Sequence, residues 1–259
     1  MWVTLVHAGA VARVSADGSV ERFAVADDAR PSLIVAAPDG ALWFTRTGDD
    51  RIGRITTSGE QSTFCLPEGC APYGLCVGPD DGLWFTQTGT AAIGRITVDG
   101  EVSAQTAGGA MPAMIARGPD GALWFTLNQA NAIGRLHPRD GLTVRDLPTP
   151  GAGPVGIAAT HDDAVWFTEL GAGRLGRIPM DGALQEIDLP GKPHAVLADR
   201  QDGVWVSLWG ADQLARVTND GEILTMDLPA GSEPHGLALD ADGAVWAALE
   251  SGFVLRMPH

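Results

Sequence analysis

The sequence predicts an all-β chain, a seven-bladed β-propeller of four-stranded blades with two strands missing at its N-terminal closure. Three observations carry this prediction. Seven of the eight Trp (Trp2, Trp43, Trp84, Trp124, Trp166, Trp205 and Trp246) stand 41, 41, 40, 42, 39 and 41 residues apart, and each of the last six follows a Pro by 12 residues. A fixed period of this length marks an array of one supersecondary unit. Asp-Gly pairs punctuate short apolar runs along the chain, and no stretch of useful length shows helical periodicity. Such units cannot bury two faces alone, and setting them radially as blades buries the faces between neighbours.

The unit from Pro72 to Ala107 shows the four strands in order. Tyr73-Gly-Leu-Cys-Val77 is the first, and Asp81-Gly82 turns the chain into Leu83-Trp-Phe-Thr86, the second. A polar loop leads to Ile93-Gly-Arg-Ile96, the third, and Asp99-Gly100 opens the fourth, Glu101-Val-Ser-Ala-Gln105. Asp-Gly between such runs is a hairpin signal, because both residues tolerate the positive φ of primed turns. Trp, with Phe or Val beside it, supplies the large apolar body packed between blades. The Arg of the third strand recurs as Arg13, Arg54, Arg95, Arg135, Arg177, Arg216 and Arg256, and seven copies at one register argue for a structural bond in every blade.

The ends depart from the pattern. The first unit opens on its second strand, with Trp2 in the Trp slot, and the last, ending at His259, has no fourth strand. Met1 stands in the slot of Leu42, Leu83, Leu123, Val165, Val204 and Val245, and the expectation is that upstream residues complete the ring. The opening segment faintly imitates a signal peptide but lacks a basic region and matches the repeat, so it reads as folded structure.

The repeats run without a linker, so residues 1–259 read as one domain. A formal charge of -15 and a pI near 4.6 oppose nucleic acid and anionic membranes as partners. The Asp-Gly turns hold much of the acid, read here as a solvated rim. No apolar run reaches membrane-spanning length. Cys65, Cys70 and Cys76 have no metal spacing; Cys65 and Cys70 flank a turn that could bring them together, but reduced thiols in a cytoplasmic monomer are the expectation.

Chemistry should sit where the repeat is broken. The residue after the repeat Pro lies at the mouth of the central channel and reads Ser32, Tyr73, Ala113, Val155, His194 and His235. Four residues past the Trp, at the end of the second strand on the same face, stand Thr47, Thr88, Asn128, Leu170, Trp209 and Glu250. His194, His235, Trp209, Glu250 and Glu233 should therefore gather across two neighbouring blades. Duplication of one blade would also pair the histidines without function, and Glu233 and Glu250 taken singly read as ordinary loop acids; beside two His at a channel mouth they become candidate ligands. Two carboxylates with room for waters suit Mg²⁺, whereas two His and a carboxylate favour Zn²⁺, and both stay open at this point. Tyr73, the sole Tyr, occupies the His slot of another blade as an aromatic wall. Glu169 faces the same side and reads as a solvated loop acid. His7, His137, His161 and His259 read as surface or turn residues. Gly171-Ala-Gly-Arg-Leu-Gly176 fits a dinucleotide fingerprint on paper, yet it leads into a strand with no helix to receive a pyrophosphate.

The blade repeat, with Lys192-Pro-His-Ala195, Ser232-Glu-Pro-His-Gly236 and Val245-Trp-Ala-Ala-Leu-Glu250, resembles the virginiamycin B lyases over essentially the whole chain. The resemblance implies a Mg²⁺-dependent carbon-oxygen lyase that opens type B streptogramins, cyclic depsipeptide antibiotics, by elimination across the ester, and so confers resistance. It implies His235 as general base, His194 as a substrate-binding residue, and Glu233 and Glu250 as the Mg²⁺ ligands. Trp209 and Tyr73 would line the substrate pocket. An imidazole, with an ordinary pKa of about 6.5, suits proton abstraction at neutral pH. The family often carries Glu three residues after the blade Trp, where this chain has Arg46, Gln87, Leu127, Glu169, Leu208 and Leu249, so substrate preference is expected to differ. The competing readings are a propeller lactonase, which would add water to the ester, and a propeller that only binds a ligand.

Overall fold

The computed structural model describes residues 1–201 and 203–257. They form seven antiparallel sheets in chain order, five of four strands and the first and last of three. These are the blades of a β-propeller, the fold class the period predicts. Helix among the described residues is confined to two 3₁₀ turns, Val6–Ala8 and Trp209–Ala211. The chain divides into two compact units, Met1–Ala116 and Arg117–His259. His259 lies outside the described residues.

Within the first unit, the opening blade comprises Trp2–Leu5, Ala10–Val14 and Val20–Ala24, beginning at the second strand of the repeat. The two complete blades that follow share a core in which Trp43 and Ile52 pack against Leu75, Leu83, Phe85 and Ile96. In the second unit, Trp166 and Leu175 meet Val196, Val204, Val206 and Leu208 of the next blade in the same way. Trp43 and Trp166 are wholly buried. Truncating a buried aromatic of this kind costs about 3–5 kcal/mol, so the Trp period locates the joints of the fold.

Each blade also carries a size match across its middle strands. Phe44, Phe85, Phe125 and Phe167 of the second strand lie opposite Gly53, Gly94, Gly134 and Gly176 of the third. A Cβ on Gly94 would lie 2.3 Å from the Phe85 ring, and the other three Gly are as tightly placed. Where the second strand has Val3 or Val206 the opposite residue is Ala12 or Ala215, and small Ala247 faces Leu255. Filled volume is kept nearly constant by complementary residues, as close packing requires.

The recurring Arg makes the structural bond expected of it. Arg54, Arg95, Arg135, Arg177, Arg216 and Arg256 pair with Asp39, Asp80, Asp120, Asp162, Asp199 and Asp240 at 2.6–2.9 Å, and Arg13 pairs with Glu21. Asp39, Asp80, Asp120 and Asp240 also accept the indole N–H of their blade Trp. These turn acids are therefore tied into the blade, and the solvated rim expected from the sequence is corrected for them. Burial opposes the ionisation of Asp39, but hydrogen bonds from Arg54, the Ala41 N–H and Trp43 hold its carboxyl below the ordinary 3.8. The Trp246 indole, then Arg256, bring Asp240 down to about 2.

The turn chemistry differs from the primed type. Gly40 N–H donates to Ala37 O and Ala37 N–H to Ala41 O, and of the two Asp-Gly residues only Gly40 has positive φ, 75°. This is a type I turn closed by a left-handed glycine, which leaves the Asp39 carboxylate free to reach inward to Trp43 and Arg54. All three cysteines are free thiols. Burial pushes Cys70 and Cys76 up to about 12, which leaves them unreactive.

Candidate active site

In five blades the residue after the repeat Pro is placed by a β-bulge. Blade six comprises Pro193–Ala198, Val204–Leu208, Gln213–Val217 and Ile223–Asp227, and blade seven comprises Pro234–Leu239, Val245–Leu249 and Val254–Met257. Pairing between the first and second strands jumps from Pro193 to Val196 and from Pro234 to Leu237, so His194 and His235 both stand in the extra-residue position. A bulge re-aims a side chain at a strand end, which is why such sites favour function.

A side-chain hydroxyl fixes each bulge to the blade before it. Thr168 Oγ1 accepts the Gly156 N–H at 2.8 Å and donates to the His194 carbonyl at 2.8 Å. Ser207 Oγ accepts the Ala195 N–H at 2.8 Å and donates to the His235 carbonyl at 2.8 Å. In the first unit, Thr45 and Thr86 hold Tyr73 and Ala113 in the same manner. Sequence reasoning missed this relay, although its signal is present as a hydroxyl two residues past the Trp in six blades: Thr4, Thr45, Thr86, Thr126, Thr168 and Ser207.

The predicted cluster of the second unit assembles. The His194 and His235 rings meet edge to face with centroids 4.6 Å apart, and the Trp209 ring, opening the Trp209–Ala211 turn, lies 6.2 Å from His235. Glu250 Oε2 stands 2.8 Å from His235 Nε2, and the two side chains are 45% and 36% exposed, so solvent and ligand reach both. The Glu250 N–H donates to the Glu233 carbonyl at 3.2 Å, which sets the two acidic residues on neighbouring backbone. Glu233 has φ 43°, a conformation a non-glycine residue holds only when its surroundings fix it. Asp212 does so, accepting the Glu233 N–H at 2.7 Å and the Gly231 N–H at 2.8 Å. Asp212 is a second supporting residue that the sequence reading did not single out.

Burial fixes the protonation of His194. Burial, with the neighbouring His235 adding to it, brings His194 down to about 4, so its ring is neutral at neutral pH. His194 Nδ1 and Trp209 Nε1 are buried without a partner among the described residues. Buried polar atoms are seldom left so, and these two are suited to a bound molecule's polar groups. Two carboxylates on adjacent backbone, one of them well exposed, match Mg²⁺, which uses one or two carboxylates and keeps several waters. No three His, Cys, Asp or Glu among the described residues converge as a closed metal cage.

Other residues fall elsewhere. Tyr73 occupies the equivalent bulge of a blade in the first unit, half-buried, with its phenol pushed up by burial. Glu169 is wholly buried, not a solvated loop acid, and Arg46, Gln87, Leu127 and Leu208 at its register are buried too. Their departures from the family pattern therefore fall inside the blades, where Arg46 bonds Asp49 and Thr63. Gly171-Ala-Gly-Arg-Leu-Gly176 runs into the strand Arg174–Pro179, as expected.

Comparison with known proteins bears on this geometry. The virginiamycin B lyase family matches residues 1–257. A protein named virginiamycin B lyase from Mycobacterium sp. (strain KMS) is 72% identical over 258 residues, covering 100% of this chain and 92% of that protein. A solved streptogramin B lyase superposes with a TM-score of 0.93 at 35% identity, over 99% of this chain and 89% of its own. A catalytically inactive His-to-Ala variant of virginiamycin B lyase from Staphylococcus aureus, solved with quinupristin, gives a TM-score of 0.93 at 34% identity, over 98% and 89% of the two chains.

Proposed function

The chain belongs to the virginiamycin B lyase family, and from that premise we propose that it opens the ring of type B streptogramins by elimination across the lactone ester. His235 is the general base, His194 and Trp209 bind substrate, and Glu233 and Glu250 would hold Mg²⁺. The observation that carries this reading is His235 itself, set on a bulge against a neutral imidazole and 2.8 Å from a carboxylate.

His235 removes the α-proton of the threonyl residue. The C–H electron pair becomes the Cα=Cβ double bond, the Cβ–O bond breaks, and its electrons leave with the ester carboxylate. Glu250 beside Nε2 stabilises the imidazolium that the ring becomes. The α-proton is weakly acidic, and a Mg²⁺ ion held by Glu233 and Glu250 would supply positive charge to offset the negative charge that develops. His194 and Trp209 present hydrogen-bonding atoms already buried, so they orient substrate at little cost in reorganisation.

Mass spectrometry of a type B streptogramin after incubation with the protein, with Mg²⁺ and with a chelator, tests the proposal. A linear product of unchanged mass, formed only with Mg²⁺, is expected. A product heavier by one water would make the protein a lactonase, and intact substrate would remove streptogramin chemistry from this chain.

A further inference from the structure

The hydroxyl relay is broken in one blade, and the break falls at His235. The residue two past the Trp is Thr or Ser in six blades, but in blade seven it is Ala248. N–H groups that follow a bulge residue and meet such a hydroxyl include those of Leu33, Gly74, Gly156 and Ala195, bonded to Thr45, Thr86, Thr168 and Ser207. Gly236, which follows His235, lies in the bulge across from Ala248, whose side chain has no hydroxyl to accept an N–H. The His235 bulge thus lacks the anchor within its own blade, and the relay reaches it only through Ser207.

We propose that Ser207 is the positioning residue of this site: one hydroxyl, by holding the Ala195 N–H and the His235 carbonyl together, sets the base against its neighbouring histidine. Its two 2.8 Å bonds join the bulge that carries His194 to the bulge that carries His235, and the rings meet at 4.6 Å as a result. Removing the hydroxyl frees the His235 carbonyl, and a shift of about 1 Å in a reacting group costs up to about 100-fold in rate. This inference rests on the lyase reading for its kinetic consequence, but the geometry it asserts does not.

The test compares Ser207→Ala, Ser207→Thr and Thr126→Ala. Thr126 donates to the Val155 carbonyl at 2.7 Å, the same bond in a blade without a site histidine. Ser207→Ala should lower kcat on a type B streptogramin by about 10-fold to 100-fold with little change in KM. Ser207→Thr should restore it, since Thr fills this slot in the five preceding blades, and Thr126→Ala should keep wild-type kcat. Imidazole ring resonances read by NMR at one fixed pH give a second readout that needs no turnover: those of His194 and His235 should move in Ser207→Ala and stay in Thr126→Ala. Unmoved resonances, or an equal loss of kcat in Thr126→Ala, would overturn the assignment. If the wild-type protein leaves streptogramin intact, the lyase reading fails, and the resonances still decide the role of Ser207.

Discussion

Glu169 gives the folded protein a dependence on pH opposite to that of its aspartates. The carboxyl is wholly buried, and neither of its oxygens has a hydrogen-bond partner among the described residues. Burial, then the charge and contact of Glu186, raise it from the ordinary 4.5 to about 7, against the opposing charge of Arg174. Glu186 is itself held by Thr149 and Arg174 through Oε2. Between 4.5 and about 7 the folded chain retains a proton that the unfolded chain has released. Stability is therefore complete below that window and falls as pH rises through it. At about 1.4 kcal/mol per pH unit, the full window is worth roughly 3 kcal/mol. Glu169→Gln keeps the shape and removes the ionisation. Urea unfolding of both proteins at about pH 5 and about pH 9 should show the variant gaining on the wild type by roughly 3 kcal/mol across that range. A difference that stays flat with pH, or shrinks as pH rises, would refute the argument.

Other expectations follow from the same structure. His235→Ala should abolish turnover while the thermal transition stays within a few degrees of wild type, because a half-exposed ring adds little to the core; retained turnover removes His235 as the base. Glu250→Gln should weaken Mg²⁺ binding by calorimetry, and equal affinity in the variant would take Glu250 out of the ligand set. Gly94→Ala should destabilise by about 1–3 kcal/mol in denaturant unfolding, since its Cβ would press on the Phe85 ring, and an unchanged midpoint would show that the ring moves freely. On the acid side, the lowered carboxyls of Asp39, Asp80, Asp120, Asp162 and Asp240 confer stability that is full above 3.8 and lost as pH falls, with Asp240 titrating last near 2. Asp240→Asn should flatten the lowest part of that curve.

The Trp period made the blades legible because each Trp does the same job at every joint, and a repeated packing problem leaves a repeated residue. The same reasoning read the Arg series correctly as structural. It misjudged the turn aspartates, since a short polar side chain in a turn looks alike in sequence whether it meets water or the indole of its own blade. Glu169 was missed for a related reason. A lone acid at a strand end gives no sign of burial unless one sees that its register also holds Leu127 and Leu208, both wholly buried. The site histidines were legible as substitutions in a slot, whereas the hydroxyls that hold them were hidden by being common to nearly every blade.

That contrast bears on how a repeat acquires chemistry. A catalytic pair needs two groups fixed to within about half an ångström, and groups borne on sheet strands hold such tolerance better than groups on loops. Here the fixing device does not depend on the chemistry, because Thr45 and Thr126 secure bulges that carry Tyr73 and Val155 as firmly as Ser207 secures His235. Placing His in two adjacent slots therefore brings the rings together with no new scaffold. What had to change is local to blade seven, where Ala248 removes one anchor and Glu250 supplies a carboxylate to the ring from the end of the same strand. If that exchange matters, Ala248→Thr should restore the missing anchor, bond the Gly236 N–H, and slow turnover by tightening the His235 bulge away from Glu250. Faster or unchanged turnover, with the Gly236 amide newly protected from exchange, would show that the second anchor and the chemistry are compatible, and that Ala248 is incidental.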